Sequence, residues 1–90
     1  MKHFVYLLVS HHKNKLITYA GYTTNVKKRL KLHNSSKGAK FTKGKYWKVI
    51  YKKKYNTKKE AMINEYKLKK NRTRRNILKK IYKLKNKIKL

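Results

Sequence analysis

The chain is 90 residues long, 39% apolar and 12% aromatic, and it carries 29 Lys and Arg against 2 acids for a formal charge of +27, with no cysteine and no proline. A disulfide scaffold and a zinc-thiolate centre are thereby excluded, and a wholly disordered tail would not hold so much apolar material. What remains is one small domain with room for one modest core, because a globule of this size buries only roughly 60% of the surface its extended chain exposes.

So basic a domain calls for a polyanionic partner. A phosphate backbone fits best, since every phosphate neutralised by Lys or Arg releases condensed counterions; an anionic membrane surface is the weaker alternative. The longest apolar run, Phe4 to Val9, is far short of the roughly 20 residues of a membrane span. It also lacks a signal-peptide cleavage pattern. A soluble, cytoplasmic, nucleoid-associated protein is expected, with its N-terminus part of the fold, nucleic acid (DNA foremost) as partner, no membrane and no obligate protein partner.

In chain order, Phe4-Val5-Tyr6-Leu7-Leu8-Val9 is an apolar run without polar alternation, the pattern of a strand buried on both faces and so of a central strand. Leu16 to Tyr22 is a second strand, with His11-His12-Lys13-Asn14 as the hairpin tip. A symmetric hairpin about that tip puts Tyr6 directly opposite Tyr19, their Cβ atoms about 5 Å apart on one face. Thr24 or Asn25 can cap a helix to about Asn34 in which Val26, Leu30 and His33 share a stripe, with Arg29 one turn before His33. Asn34 to Gly44 reads as loop with one helical turn, and Trp47 to Tyr55 as a third strand with Trp47, Val49 and Tyr51 on one side.

Thr57-Lys58-Lys59-Glu60 is a capping box opening a helix to about Lys70. A break over Asn71 to Arg75 then leads to a last helix, about 76–90, whose Ile77, Ile81, Leu84 and Ile88 form an apolar stripe under a lysine face. The expected architecture is α/β of the α+β type: a small three-stranded antiparallel sheet flanked by helices in the order β-β-α-(short α)-β-α-α, one domain over 1–90.

Glu60 and Glu65 are the two acids. Glu60 is occupied at the third position of its capping box. Glu65, with Ala61 and Met62 one turn before and Leu68 one turn after, lies on or beside the buried stripe and needs a partner there. Either a lysine or a divalent cation serves, because one carboxylate with several waters and a substrate phosphate is an ordinary Mg²⁺ shell. His11 and His12, adjacent at a turn tip, point apart and compete poorly as ligands.

Taken together, Tyr6, Tyr19-Ala20-Gly21, Arg29, His33 and Glu65 resemble the signature of the GIY-YIG nuclease superfamily in order and approximate spacing. Phe4-Val5-Tyr6 and Tyr19-Ala20-Gly21 stand for the two name-giving triplets. The further series Arg29-Leu30-Lys31-Leu32-His33-Asn34, Lys37-Gly38-Ala39-Lys40-Phe41-Thr42-Lys43-Gly44 and Glu65-Tyr66-Lys67-Leu68 is similar to the small stand-alone bacterial endonuclease subgroup. Ala20, where the name motif has isoleucine, and the lysine-rich tail beyond Ile81 depart from the pattern.

The resemblance implies a metal-dependent endonuclease, of a kind that serves DNA repair or recombination. Tyr6 would be general base, Arg29 would stabilise the transition state, Glu65 would hold Mg²⁺ or Mn²⁺, and Tyr19 and His33 would position the attacking water or share its proton. Gly21, Lys37, Lys40, Lys43 and Lys45 would meet the nucleic acid. A cationic pocket would favour the Tyr6 phenolate. Gly21 would admit either substrate backbone or a neighbouring ring, and Phe41, Tyr46 and Trp47 are core residues or stacking surfaces. Two other readings remain open: a basic nucleic-acid-binding protein that keeps the fold without activity, and a membrane-surface role for the last helix.

Overall fold

The computed structural model describes residues 2–88, so the expectations for Met1, Lys89 and Leu90 lie outside the described residues. Strands β1 (His3–His12), β2 (Lys15–Thr23) and β3 (Lys48–Tyr55) form an antiparallel sheet in the order β2-β1-β3. Helix α1 (Val26–Asn34) and a single 3₁₀ turn (Lys40–Thr42) join β2 to β3, and α2 (Lys58–Lys70) and α3 (Arg72–Lys85) follow. This is the expected α+β order. Strand β1 is central, and Val5 to Val9 are all buried because both faces of the sheet are covered.

Each face has its own apolar cluster. Tyr6, Leu8 and Trp47 form one, with Tyr19, Leu30 and Val49 against it; Val5, Leu7, Ala20, Ala61 and Leu68 form the other, beneath α2. A carbonyl-to-amide clamp ties α1 to the start of β3: Asn34 Oδ1 accepts from Trp47 N at 2.6 Å and Asn34 Nδ2 donates to Trp47 O at 3.1 Å.

The hairpin register differs from expectation. Its turn is only Lys13-Asn14, both at positive φ (48° and 64°), so the strands run further and Tyr6 pairs with Gly21 while Tyr19 pairs with Leu8. The slip is two residues. It therefore leaves every side chain on its expected face, with Tyr19 a diagonal rather than a direct neighbour of Tyr6. In β3 the expected alternation also breaks: Leu7 pairs with Tyr51 but Leu8 with Val49, so Ile50 is an extra residue. That bulge sends Tyr51 to the α2 side while Trp47 and Val49 stay on the α1 side.

The break before the last helix is one residue, not five. Asn71 closes α2 and caps α3, its Oδ1 accepting from Arg74 N at 2.9 Å, and Arg75 turns back to donate to the terminal α2 carbonyls of Leu68 and Lys69. The stripe of α3 faces outward rather than onto the sheet: Ile77, Ile81 and Leu84 are 54%, 46% and 72% exposed. Leu78, one residue out of the stripe, packs on the core instead. No helix among the described residues is long and apolar enough to cross a membrane.

Because these three side chains are already wet, Ile81→Ser and Leu84→Ser should each move the unfolding free energy by no more than about 0.5 kcal/mol in urea titrations. Leu78→Ala should cost more than either. A large loss from Leu84→Ser would place the stripe in the core after all.

Candidate active site

Tyr6 enters from the central strand on the α1 side, and its ring lies across Gly21 on the neighbouring strand. A Cβ at Gly21 would collide with Tyr6 Oη and Cζ. The ring that Gly21 admits is thus Tyr6 itself, and the glycine is buried beneath it. The phenol ends against α1, where Asn25 caps the helix by accepting from Lys28 N at 3.0 Å. That cap sets the helix phase that turns His33 inward.

His33 is fully buried, and its two ring nitrogens are both engaged: Nε2 with Tyr6 Oη at 2.8 Å, Nδ1 with Thr42 Oγ1 at 2.8 Å. Thr42, also fully buried, sits at the end of the 3₁₀ turn, where Trp47 Nε1 donates to its carbonyl at 3.0 Å. Gly38 closes against the same Nδ1 edge of the imidazole, since a Cβ there would collide with Nδ1. Tyr19 tilts over the same imidazole with ring centroids 5.2 Å apart, and stacks on Phe41 at 6.2 Å.

Burial holds the Tyr6 phenol above the ordinary tyrosine value, while Arg29 opposes that rise as a donor and as a charge; Tyr19 and Glu65 add to it. The expectation of a cationic pocket favouring phenolate is therefore met only in part. Arg29 acts in that direction and desolvation outweighs it. Burial, and secondarily the Arg29 charge, hold His33 below its ordinary value, so the resting pair is phenol and neutral imidazole.

Glu65 reaches this neighbourhood from α2. Its side chain is 14% exposed and its ion-pair partner is Lys69, at 3.6 Å one helical turn on. The lysine partner weighed from the sequence is thus present. Glu60 is exposed and occupied at the helix start, where Thr57 Oγ1 accepts from Glu60 N at 3.1 Å and donates to Glu60 Oε1 at 3.2 Å. Among the described residues no group of three or more His, Cys, Asp or Glu converges as a metal cage, His11 and His12 included.

Lys37, Lys40 and Lys43 are exposed around the loop that carries Gly38 and Thr42, and Lys45 donates to Phe41 O at 3.2 Å with its ammonium 5.2 Å from the Phe41 ring. The three aromatic residues of this segment part company: Trp47 is core, whereas Phe41 and Tyr46 are 53% and 69% exposed. The contribution of Thr42 and Gly38 was not read from the sequence, although both lie in the Gly38-Ala39-Lys40-Phe41-Thr42 series. Small residues in a lysine-rich loop were the available signal.

The chain belongs to the GIY-YIG family: the family model described as the GIY-YIG catalytic domain matches residues 2–86. Its similar relatives are UPF0213 proteins. OB0043 of Oceanobacillus iheyensis is 42% identical over 69 residues, which span 76% of this chain and 77% of the relative. SH2523 of Staphylococcus haemolyticus is 46% identical over 69 residues, spanning 76% and 80%. Among solved structures, the solution NMR structure of the UPF0213 protein BH0048 from Bacillus halodurans is 35% identical, with 90% of this chain and 85% of that one covered and a TM-score of 0.48. A catalytic domain of this family points to a nuclease and to nucleic acid as its substrate.

A depressed histidine makes a pH prediction with a definite sign. The unfolded chain binds a proton at His33 that the native state resists, so this contribution to stability is complete above the ordinary value of 6.5 and is lost as pH falls below it through the depressed value. Urea midpoints should drop between about pH 7.5 and about pH 5, and His33→Gln should flatten that drop. An unchanged slope in the variant would assign the acid sensitivity elsewhere.

Proposed function

We propose that this protein is an endonuclease that hydrolyses phosphodiester bonds in nucleic acid, DNA foremost, with Tyr6 as general base, Arg29 as stabiliser of the charge that grows at phosphorus, and Glu65 as ligand of Mg²⁺ or Mn²⁺. Family membership supports the class. The residue assignment is carried by the buried 2.8 Å hydrogen bond between Tyr6 and His33, on both of which Arg29 acts. A phenol is a poor base unless its own proton has somewhere to go. Here it has an acceptor in hydrogen-bond contact.

As water gives a proton to Tyr6 Oη, Tyr6 can pass its own to His33 Nε2. Burial and Arg29 disfavour the resulting imidazolium, so the proton is held only briefly. Arg29 presents a planar fork of donors, which matches phosphate oxygens better than an ammonium can. Tyr19, against the same imidazole, packs it in place and borders the reacting water.

Glu65 fits a hard cation: it is a largely buried carboxylate whose lysine partner lies at 3.6 Å, beyond hydrogen-bond reach, and substrate phosphate and water would complete the shell. When bound, the cation supplies Lewis acidity at a nonbridging oxygen and steadies the leaving oxygen. Lys37, Lys40, Lys43 and Lys45 would hold the backbone without reading bases. The cytoplasm, with its nucleoid, is where such a protein would meet DNA.

A nicking assay on linear and branched DNA with Mg²⁺ tests the proposal directly. Tyr6→Phe should cut turnover on the order of 100-fold or more while leaving affinity nearly unchanged. Cleavage at the wild-type rate by that variant would leave the Tyr6 ring a packing residue and overturn its assignment as general base, whereas no cleavage by the wild-type chain would reduce the protein to a basic binding module.

The two acids should separate. Glu60→Ala should lower stability by roughly 0.5 to 2 kcal/mol through the weakened helix start and leave cleavage intact. Glu65→Gln should abolish cleavage, keep the fold, and bind nucleic acid as well or better. If Glu65→Gln only destabilises, its carboxylate serves the Lys69 pair alone.

A further inference from the structure

The hydroxyl of Thr42 has three polar neighbours and one proton. Ala39 N, at 3.2 Å, can only donate and so takes one of its lone pairs; Ala39 O, at 2.9 Å, can only accept and so receives the proton. The remaining lone pair faces His33 Nδ1 at 2.8 Å. All three contacts are satisfied at once only if Nδ1 carries a hydrogen. His33 Nε2 is then a bare lone pair aimed at Tyr6 Oη, and the phenol is the donor in the 2.8 Å bond. The opposite tautomer would turn the Thr42 proton away from Ala39 O, which would keep its 3.1 Å bond from Thr42 N but face a hydroxyl lone pair at 2.9 Å.

The geometry points to Thr42 as the positioning residue that fixes the His33 tautomer and, through it, the direction of proton flow out of Tyr6. This rests on the reading of Tyr6 as general base. In the step so directed, the oxygen of water forms its bond to phosphorus as one water O–H bond breaks. That proton joins Tyr6 Oη, the Tyr6 O–H bond breaks, and its proton joins His33 Nε2. The imidazolium keeps its other hydrogen on Thr42, so nothing has to rotate. With the opposite tautomer, Nε2–H would donate to the phenol and Tyr6 would have no acceptor for its proton. Gly38 lets the loop that carries Thr42 close against the same edge of the ring, where a Cβ would collide with Nδ1.

The test has a readout independent of cleavage. Two-bond ¹H–¹⁵N correlation spectra of the labelled full chain at neutral pH should show His33 Nδ1 protonated and Nε2 unprotonated. Thr42→Val, nearly isosteric but without the hydroxyl, should yield mixed or inverted tautomers and lower kcat on the order of 100-fold or more with KM unchanged, the kind of loss a misprotonated catalytic histidine brings. Thr42→Ser, which restores the hydroxyl, should recover both the spectrum and kcat.

A wild-type spectrum with hydrogen on Nε2 overturns the assignment whether or not the Thr42→Val chain folds. So does a folded Thr42→Val chain with the wild-type tautomer. If that variant changes tautomer yet cleaves at the wild-type rate, Thr42 sets the tautomer but the proposed proton route from Tyr6 through His33 is overturned. Should the wild-type chain cleave nothing, the nuclease reading fails and the spectra still decide the tautomer.

Discussion

The hydrogen bond between Tyr6 and His33 is the constraint around which this small fold is arranged. Two polar side chains are taken out of water together, which is tolerable only if each satisfies the other and every remaining polar atom finds a partner. Tyr6 answers Nε2 and Thr42 answers Nδ1, while the backbone of Ala39 answers Thr42. Meeting those distances fixes how α1 lies on the sheet and how the following loop folds back over it. The side chains that would obstruct this are missing at Gly21 and Gly38.

A chain with formal charge +27 would not be expected to keep a neutral pair at its centre, and the separation is spatial. Most of the lysines and arginines are exposed, on helices, strands and loops alike, where water screens them. Arg29, half-buried, is the one that acts on both Tyr6 and His33. It lowers the cost of phenolate and raises the cost of imidazolium, which biases the pair toward releasing rather than storing a proton. Burial sets the resting state against it.

The far side of the sheet is a scaffold with a different economy. Leu68 and Ala61 of α2 fill the space over Val5 and Leu7, and Asn71 serves two helix ends at once, so α3 follows with no linker. Glu65 belongs to that scaffold by sequence and to the Tyr6 neighbourhood by electrostatics, since its charge adds to the rise of the Tyr6 phenol. A helix that packs as core thereby delivers the acid.

Sequence alone determined the central strand, because an unbroken run from Phe4 to Val9 tolerates nothing but cover on both faces, and it determined the start of α1 to within a residue and that of α2, because Asn25 and the Thr57–Glu60 box satisfy amides within a few residues. It also placed Tyr6, Tyr19, Arg29, His33 and Glu65 in one order. Those are local or periodic properties, written in consecutive residues. Register and facing were not. Whether the hairpin turned in two residues or four depended on the φ of Lys13 and Asn14, and the side of the sheet that Tyr51 occupies depended on one bulged residue, Ile50. The outward face of α3 was decided by which of two apolar sets, Leu78 or Ile77 with Ile81 and Leu84, met the sheet, and periodicity cannot rank two stripes on one helix. Thr42 stands in the Lys37 to Gly44 series, but nothing in the chain marks its hydroxyl for a role. Its role exists only once the loop closes and brings its one hydroxyl proton between an imidazole and a peptide, and that is a matter of three distances rather than of sequence.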